Sequence, residues 1–191
     1  MNLHTHIPQR SNAPIVPNVG VAIAEPPLEL RCARAHDVDV IHGLIDAHLH
    51  EGHLLPRTRE DIAAEVEQFV VATRDDVVVG CAELSRLAAD VAEVRSLVVA
   101  DDVQGQGLGR ALVRELMATA QNSPYKRLCA FTHAPAFFVR LGFSIVPHLD
   151  VPEKVFIDCV GCPLFRRCGQ HAVMFWLDDA GHRGRSPELE W

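Results

Sequence analysis

Residues 104–109 read QGQGLG, directly after the strand-like run VRSLVV at 94–99 and the acidic pair Asp101 and Asp102. Glycines at 105, 107 and 109 leave the backbone bare where Leu108, Ala111, Leu112, Leu116 and Ala120 begin an apolar stripe at helical spacing. The first N–H groups of a helix are orphan donors in the positive end of its dipole, so such a loop suits an anion. Two nucleotide signatures fail here. A dinucleotide fingerprint places G-x-G-x-x-G after the first strand, whereas this loop follows the fourth. A P-loop ends in Lys-Ser or Lys-Thr, whereas Arg110-Ala111 stands here. A coenzyme pyrophosphate and a plain glycine turn both fit the residues.

Strand and helix periods alternate on either side of this loop. LELRCARA (28–35) reads as a strand, and Asp37 is placed to cap a helix carrying Val38, Ile41, Leu44, Ile45 and Leu49. Thr58 and Asp61 form a capping pair ahead of Ile62, Val66 and Phe69. FVVATR (69–74), the turn Asp75-Asp76 and VVVGCAELS (77–85) read as a hairpin, and a turn near 88–90 leads into VAEVRSLVVA (91–100). Strict alternation in that last run puts Glu93, Arg95 and Leu97 on one face and Val94, Ser96 and Val98 on the other. A charged pair on the face of a central strand marks a site. KRLCAFTH (126–133) is a strand, APAFFVRL (134–141) a short helix, and GFSIVP (142–147) and HAVMFWL (171–177) are further strands. The class is α/β (α+β), with helices flanking a mixed sheet.

The 191 residues suit one domain, expected over 28–177, after a mobile proline-rich extension (1–27) and before a loose tail (178–191). His4 and His6 are expected in solvent. Eighteen Lys and Arg against twenty-five Asp and Glu give a formal charge of −7, which signals no basic face for nucleic acid. No apolar run spans a bilayer and no secretory leader pattern opens the chain, so no membrane association and a cytoplasmic address are expected. Cys32, Cys81 and Cys129 read as buried free thiols. Cys159, Cys162, Cys168 and His171 have the composition of a Cys₃His zinc site, but the five residues between Cys162 and Cys168 are few for a closed tetrahedron. A rigid thiol turn and a redox pair are the other readings, and no metal is expected.

EVRSLVV, QGQGLG and the helix behind them resemble the acetyl-CoA motif of the GNAT N-acetyltransferases, whose R/Q-x-x-G-x-G/A pattern falls on Gln104, Gly107 and Gly109. LIDAHLHEGHLLPRTREDI, PAFFVRLGF and PEKVFIDCVGCP extend the likeness to the short N-acetylglutamate synthases, over about residues 28–177. The resemblance implies the GNAT acyltransferase fold, a mixed, mostly antiparallel twisted sheet with the coenzyme where the fourth and fifth strands splay. It implies acetyl-CoA as cosubstrate, held by Leu97, Val98 and Val99, by the loop Gln104, Gly105, Gln106, Gly107, Leu108, Gly109 and Arg110, and by Phe137 and Phe138. The implied reaction is acetyl transfer to the α-amine of L-glutamate, the first step of arginine biosynthesis. The alternatives are acetylation of another small amine or a protein amine, and a non-catalytic acetyl-CoA or amino-acid sensor. Homodimers are common in such families, though the sequence identifies no interface.

A glutamate ammonium must lose a proton before it attacks a thioester, and Glu93 and Glu83, both on central strands, are the base candidates. Backbone N–H groups near Leu97 and Val98 suit the oxyanion. Arg57, Arg95 and Lys154 are the candidates for the two substrate carboxylates, with Glu60 as a competing local partner for Arg57. Many GNAT enzymes carry a tyrosine four residues before the glycine of the L-G-F turn, as acid for the leaving thiolate. Phe138 stands there, leaving Ser96, Thr132, His133 or water in its place; Tyr125 is not expected to act.

Overall fold

The computed structural model describes residues 28–51, 54–162 and 165–177, and the structural statements below refer to these. The expected extension over 1–27, the tail over 178–191, His4 and His6 lie outside them. The elements in chain order are β1 (Glu29–Cys32), α1 (Val38–Ala47), α2 (Arg59–Ala64), β2 (Phe69–Arg74), β3 (Val77–Arg86) and β4 (Val91–Val99). They continue with α3 (Leu108–Gln121), β5 (Arg127–Thr132), α4 (Pro135–Val139), β6 (Ser144–Val146), α5 (Pro152–Lys154) and β7 (His171–Trp176); α5 runs into a π-helical turn, Val155–Cys159. One seven-stranded sheet has the order β1-β2-β3-β4-β5-β7-β6. Its β4–β5 pair is parallel and its other pairs are antiparallel.

The order of helices and strands matches the periodicity reading, and local chemistry explains the joints. Asp75 and Asp76 both take positive φ (50° and 63°), the primed-turn geometry that suits the twist of a two-residue hairpin. The Thr58 hydroxyl accepts from the Asp61 N–H while the Asp61 carboxylate accepts from the Thr58 N–H, closing the expected capping box. Asp37 behaves differently from expectation. It precedes α1 but makes no side-chain cap. Its buried carboxylate accepts from both Arg31 Nη atoms at 2.7 and 2.9 Å and from the Arg34 N–H at 2.7 Å, pinning β1 to the turn before α1. Cys32 is exposed rather than buried, because β1 is the sheet's edge strand.

Apolar side chains divide the sheet into two faces. One face packs against α3 and α4 through Val70, Ala72, Leu84, Val94, Leu112, Leu116, Leu128 and Phe138. The opposite face carries two separate clusters. Ile41, Ile45, Ile62, Phe69, Val71, Cys81 and Val98 lie under α1 and α2. Val91, Cys129, Val151, Ala172 and Met174 lie near the α5 segment. Between these clusters the same face turns charged.

Along β4 the simple alternation fails. Cys81 pairs with Val98 and Glu83 with Arg95, so Ser96 and Leu97 together oppose Ala82. Ser96 adopts φ 49°, and this bulge reverses the side-chain phase. Val94 therefore shares its face with Leu97 and Val99, while Val98 joins the opposite cluster. The expected grouping of Arg95 with Leu97 is corrected by this one extra residue.

Arg31, bonded to Asp37, holds that carboxyl below the usual aspartate range. The D37N variant should lose about 2 kcal/mol of stability at neutral pH, seen as a lower urea midpoint. A depressed folded pKa stabilises above the unfolded pKa and stops doing so as pH falls through the folded one. The difference between the two proteins should therefore shrink below about pH 4.

Candidate active site

Parallel pairing of β4 with β5 covers Val91–Arg127, Ala92–Leu128 and Glu93–Cys129. Beyond Glu93 the strands part, and a cavity of about 720 Å³ occupies the split. Residues 93–99 of β4 form one wall and residues 130–134, at the end of β5, the other. Leu54–Arg57 and residues from 154–162 and 165–170 close it on the charged side of the sheet, and Phe137 and Phe138 line it on the α4 side. The hydroxyl residues Ser96 and Thr132, with His133, are part of the lining; Tyr125 packs against the α3 core instead.

At one end of the cavity lies the glycine loop. Gly105 and Gly107 take φ 78° and 86°, a conformation open to glycine at little cost. α3 starts at Leu108 without a side-chain cap, and its first backbone bond runs from the Ala111 N–H to the Gly107 carbonyl at 3.0 Å. The N–H groups of Leu108, Gly109 and Arg110 precede that bond and so have no partner within the helix. The Gln104 amide donates to the Val99 carbonyl and to Asp101, each at 3.0 Å, fixing the loop to the end of β4. Of the loop residues expected to bind coenzyme, Gln104 and Gly109 line the cavity, Leu108 is buried in the core, and Gly105, Gln106, Gly107 and Arg110 are exposed. Leu97, Val98, Val99, Phe137 and Phe138 all line it.

The charged residues gather at the other end. Arg57, Arg95 and Lys154, from three separate segments, all line the cavity. Arg57 donates from Nη1 to Glu83 at 2.6 Å and from Nη2 to Glu65 at 2.5 Å; Glu60 is not its partner. Lys154 Nζ donates to Glu93 at 2.8 Å and lies 2.7 Å from Asp158. Arg95 approaches Glu93 at 3.7 Å and Asp158 at 3.9 Å.

Glu83 and Glu93 are both buried, and burial pushes both carboxyls above the usual glutamate range against the pull of Arg57 and Lys154 respectively. Their placements differ. Glu93 lines the cavity, whereas Glu83 lies behind Ser96, whose hydroxyl donates to it at 3.2 Å.

Cys159, Cys162 and Cys168 are free thiols at the cavity wall. His171 is instead on β7, in register with Thr132. Among the described residues no group of three or more His, Cys, Asp or Glu is arranged to hold a metal ion. No helix among them is long and apolar enough to cross a membrane.

Sequence reasoning did not select Glu65, Asp158 or His48 for the site. Asp158 had a readable signal, four residues beyond Lys154 on one helical face. Glu65 had none, because only the path of the chain brings it to Arg57, whose other partner is Glu83. His48 lines the cavity and ties α1 to the loop after β4, with Nδ1 2.8 Å from the Leu44 carbonyl and Nε2 3.3 Å from Asp101.

Known proteins share this fold. A family model for the acetyltransferase (GNAT) domain matches residues 65–145. An uncharacterised N-acetyltransferase of Chlorobaculum tepidum is 29% identical over 145 residues, 76% of this chain and 94% of that protein. An amino-acid acetyltransferase of Mycobacterium tuberculosis is 32% identical over 130 residues, 66% of this chain and 74% of that protein. In structure, the N-acetylglutamate synthase of Neisseria gonorrhoeae complexed with coenzyme A and N-acetyl-glutamate aligns at TM-score 0.72 and 27% identity, over 83% of this chain and 36% of that one. The chain thus spans little more than a third of that synthase.

The R57M variant leaves Glu83 buried without its cation and should destabilise the protein by about 3 kcal/mol in chemical denaturation. Adding E83Q to R57M should recover part of that loss, which separates a structural effect of Arg57 from any effect on catalysis.

Proposed function

The chain belongs to the GNAT acetyltransferase family, and from that premise we propose that it transfers the acetyl group of acetyl-CoA to the α-amine of L-glutamate. The observation that carries the reading is the convergence of Arg57, Arg95 and Lys154 on one cavity that also reaches the glycine loop. Cationic side chains suit the two carboxylates of glutamate, and arginine presents a planar fork for them. The relative solved with coenzyme A and N-acetyl-glutamate supports the same pairing of ligands.

In this reading the pyrophosphate of acetyl-CoA lies on the N–H groups at the start of α3, where the helix dipole favours negative charge. The glycines admit it without side-chain contact. The pantetheine arm follows the unpaired edge of β4 through Leu97–Val99, leaving the thioester at the bulge. Phe137 and Phe138 cover it from α4.

Chemistry then needs a proton acceptor and an oxyanion partner. Glu93 lines the cavity, and its raised pKa brings it closer to the operating pH than an exposed glutamate. It takes a proton from the substrate ammonium, directly or through water, and Lys154 steadies the carboxylate. Attack of the free amine on the thioester carbonyl puts negative charge on its oxygen, which in this reading is received by backbone N–H at the bulge, with Leu97 and Val98 as the candidates. Collapse expels the coenzyme thiolate, and the proton still carried by the attacking nitrogen passes to it through a relay at the cavity wall, for which Ser96, Thr132, His133 and water are the candidates. Glu83, reached through Ser96, is the second base candidate.

Thiol release from acetyl-CoA, measured against a panel of amino acids and polyamines with the product identified by mass, tests the reading. Turnover should appear with glutamate well above aspartate and glutamine. Turnover on another amine alone would remove the glutamate assignment, and coenzyme binding without turnover would favour a sensor. With glutamate, kcat/KM should rise with pH through the deprotonation of Glu93, above the ordinary glutamate range. E93Q should lower kcat by about 10²–10⁴ and remove that acid limb.

A further inference from the structure

Lys154 faces two carboxylates where one would neutralise it. Glu93 reaches it from β4, with both carboxylate oxygens 2.8 Å from Nζ. Asp158 reaches it from one turn further along its own segment, Oδ2 lying 2.7 Å from Nζ and 3.9 Å from Arg95 Nη2. The two acids are held differently. Glu93 is buried in the sheet, with 3% of its side chain exposed, whereas Asp158 keeps 23% exposed. Asp158 belongs to the π-helical turn Val155–Cys159, where Phe156 and Ile157 face solvent. Its Oδ2 is buried yet makes no hydrogen bond of proper geometry, although Lys154 is near. Asp158 therefore occupies a cation-lined position without satisfying its own hydrogen-bonding capacity.

We infer that Asp158 is an internal stand-in for a substrate carboxylate: its side chain fills the position between Lys154 and Arg95 until an amino-acid carboxylate displaces it. The inference rests on reading the cavity as an amino-acid site. Charge bookkeeping supports it. Arg57 is already bonded to Glu83 and Glu65, so of these three cations Arg95 and Lys154 are left for a ligand, and these face Glu93 and Asp158. A dicarboxylate entering that arrangement meets no net positive charge. Once Asp158 turns outward, one positive charge is uncovered where the carboxylate docks. A side chain competing for the position weakens apparent binding by the fraction of time it occupies the site. The same competition favours ligands whose carboxylate bonds Lys154 better than a tethered aspartate can. Asp158 is on this account a specificity-determining residue, while Glu93 keeps its position when the ligand arrives.

D158N keeps the shape of the side chain and removes its charge. Its KM for glutamate should fall about tenfold, while the KM for acetyl-CoA changes little. Calorimetric titration with glutarate, a dicarboxylate without an amine, in the presence of coenzyme A should show tighter binding to D158N by a similar factor. The glutarate arm does not depend on turnover. A wild type inactive on glutamate would overturn the functional reading, while the titration would still decide the role of Asp158. Unchanged or weaker glutarate binding to D158N overturns the inference. So does a KM raised alike for glutamate and for amines without carboxylates, because that marks Asp158 as an ammonium anchor. Melting curves accompany both measurements, and if D158N melts well below the wild type, the glutarate titration is read on D158S by the same criteria.

Discussion

The early end of the β4–β5 pairing is the constraint on which the site depends. Two parallel strands that stayed paired to their ends would fill the space between them with backbone hydrogen bonds and side chains. Here the ladder stops at Glu93, and the strands part into a cavity. The bulge at Ser96 accompanies the split. A non-glycine residue in the left-handed region costs roughly 1–2 kcal/mol, and local bonds oppose that cost. Ser96 donates from its hydroxyl to Glu83 and accepts at its carbonyl from the Cys81 thiol at 3.5 Å. Burial pushes that thiol up to about 12, so it keeps the proton it donates. The bulge is thus held by groups on the neighbouring strand β3.

A charged zone inside a sheet must be compensated, and the pattern of compensation shapes the chemistry. Each buried glutamate has its own cation, Glu83 with Arg57 and Glu93 with Lys154, so neither desolvated charge stands alone. Desolvation still wins for both carboxyls, which titrate above the ordinary range. The arrangement gives a wall that can accept a proton while presenting positive groups beside it. Two apolar clusters flank this zone under α1 and α2 and beside α5, and they supply the burial that offsets the cost of the ionic row.

Much of the fold was legible because period and turn chemistry agreed. The hairpin at Asp75-Asp76, the capping box at Thr58 and the stripe of α3 each follow from short-range rules that the structure obeys. The glycine loop was legible for the same reason, since bare backbone at a helix start has a local signature. What stayed hidden was the bulge. Alternation along VAEVRSLVV gives no sign that Ala82 will face two residues, because the register is set by the partner strand. Asp37 was misread because Arg31 competes for its carboxylate from a strand that capping rules do not consider. Arg57, Arg95 and Lys154 could be selected by charge and resemblance, but which of them pairs with Glu65, Glu83, Glu93 or Asp158 required the fold.

The bulge also sets two kinds of side chain on opposite faces of one strand. Before it, Glu93 and Arg95 point to the face of Lys154 and Arg57, where an amine and its carboxylates would be read. After it, Leu97 and Val99 point to the face of α3 and α4, toward the glycine loop and Phe137. A regular strand would have kept Arg95 and Leu97 on the same face, placing an arginine beside the apolar lining of the α3 and α4 side. The extra residue separates them within two positions along the chain, and it leaves the backbone between them out of regular pairing. That stretch of backbone is where an acyl group handed from one side to the other would have to pass.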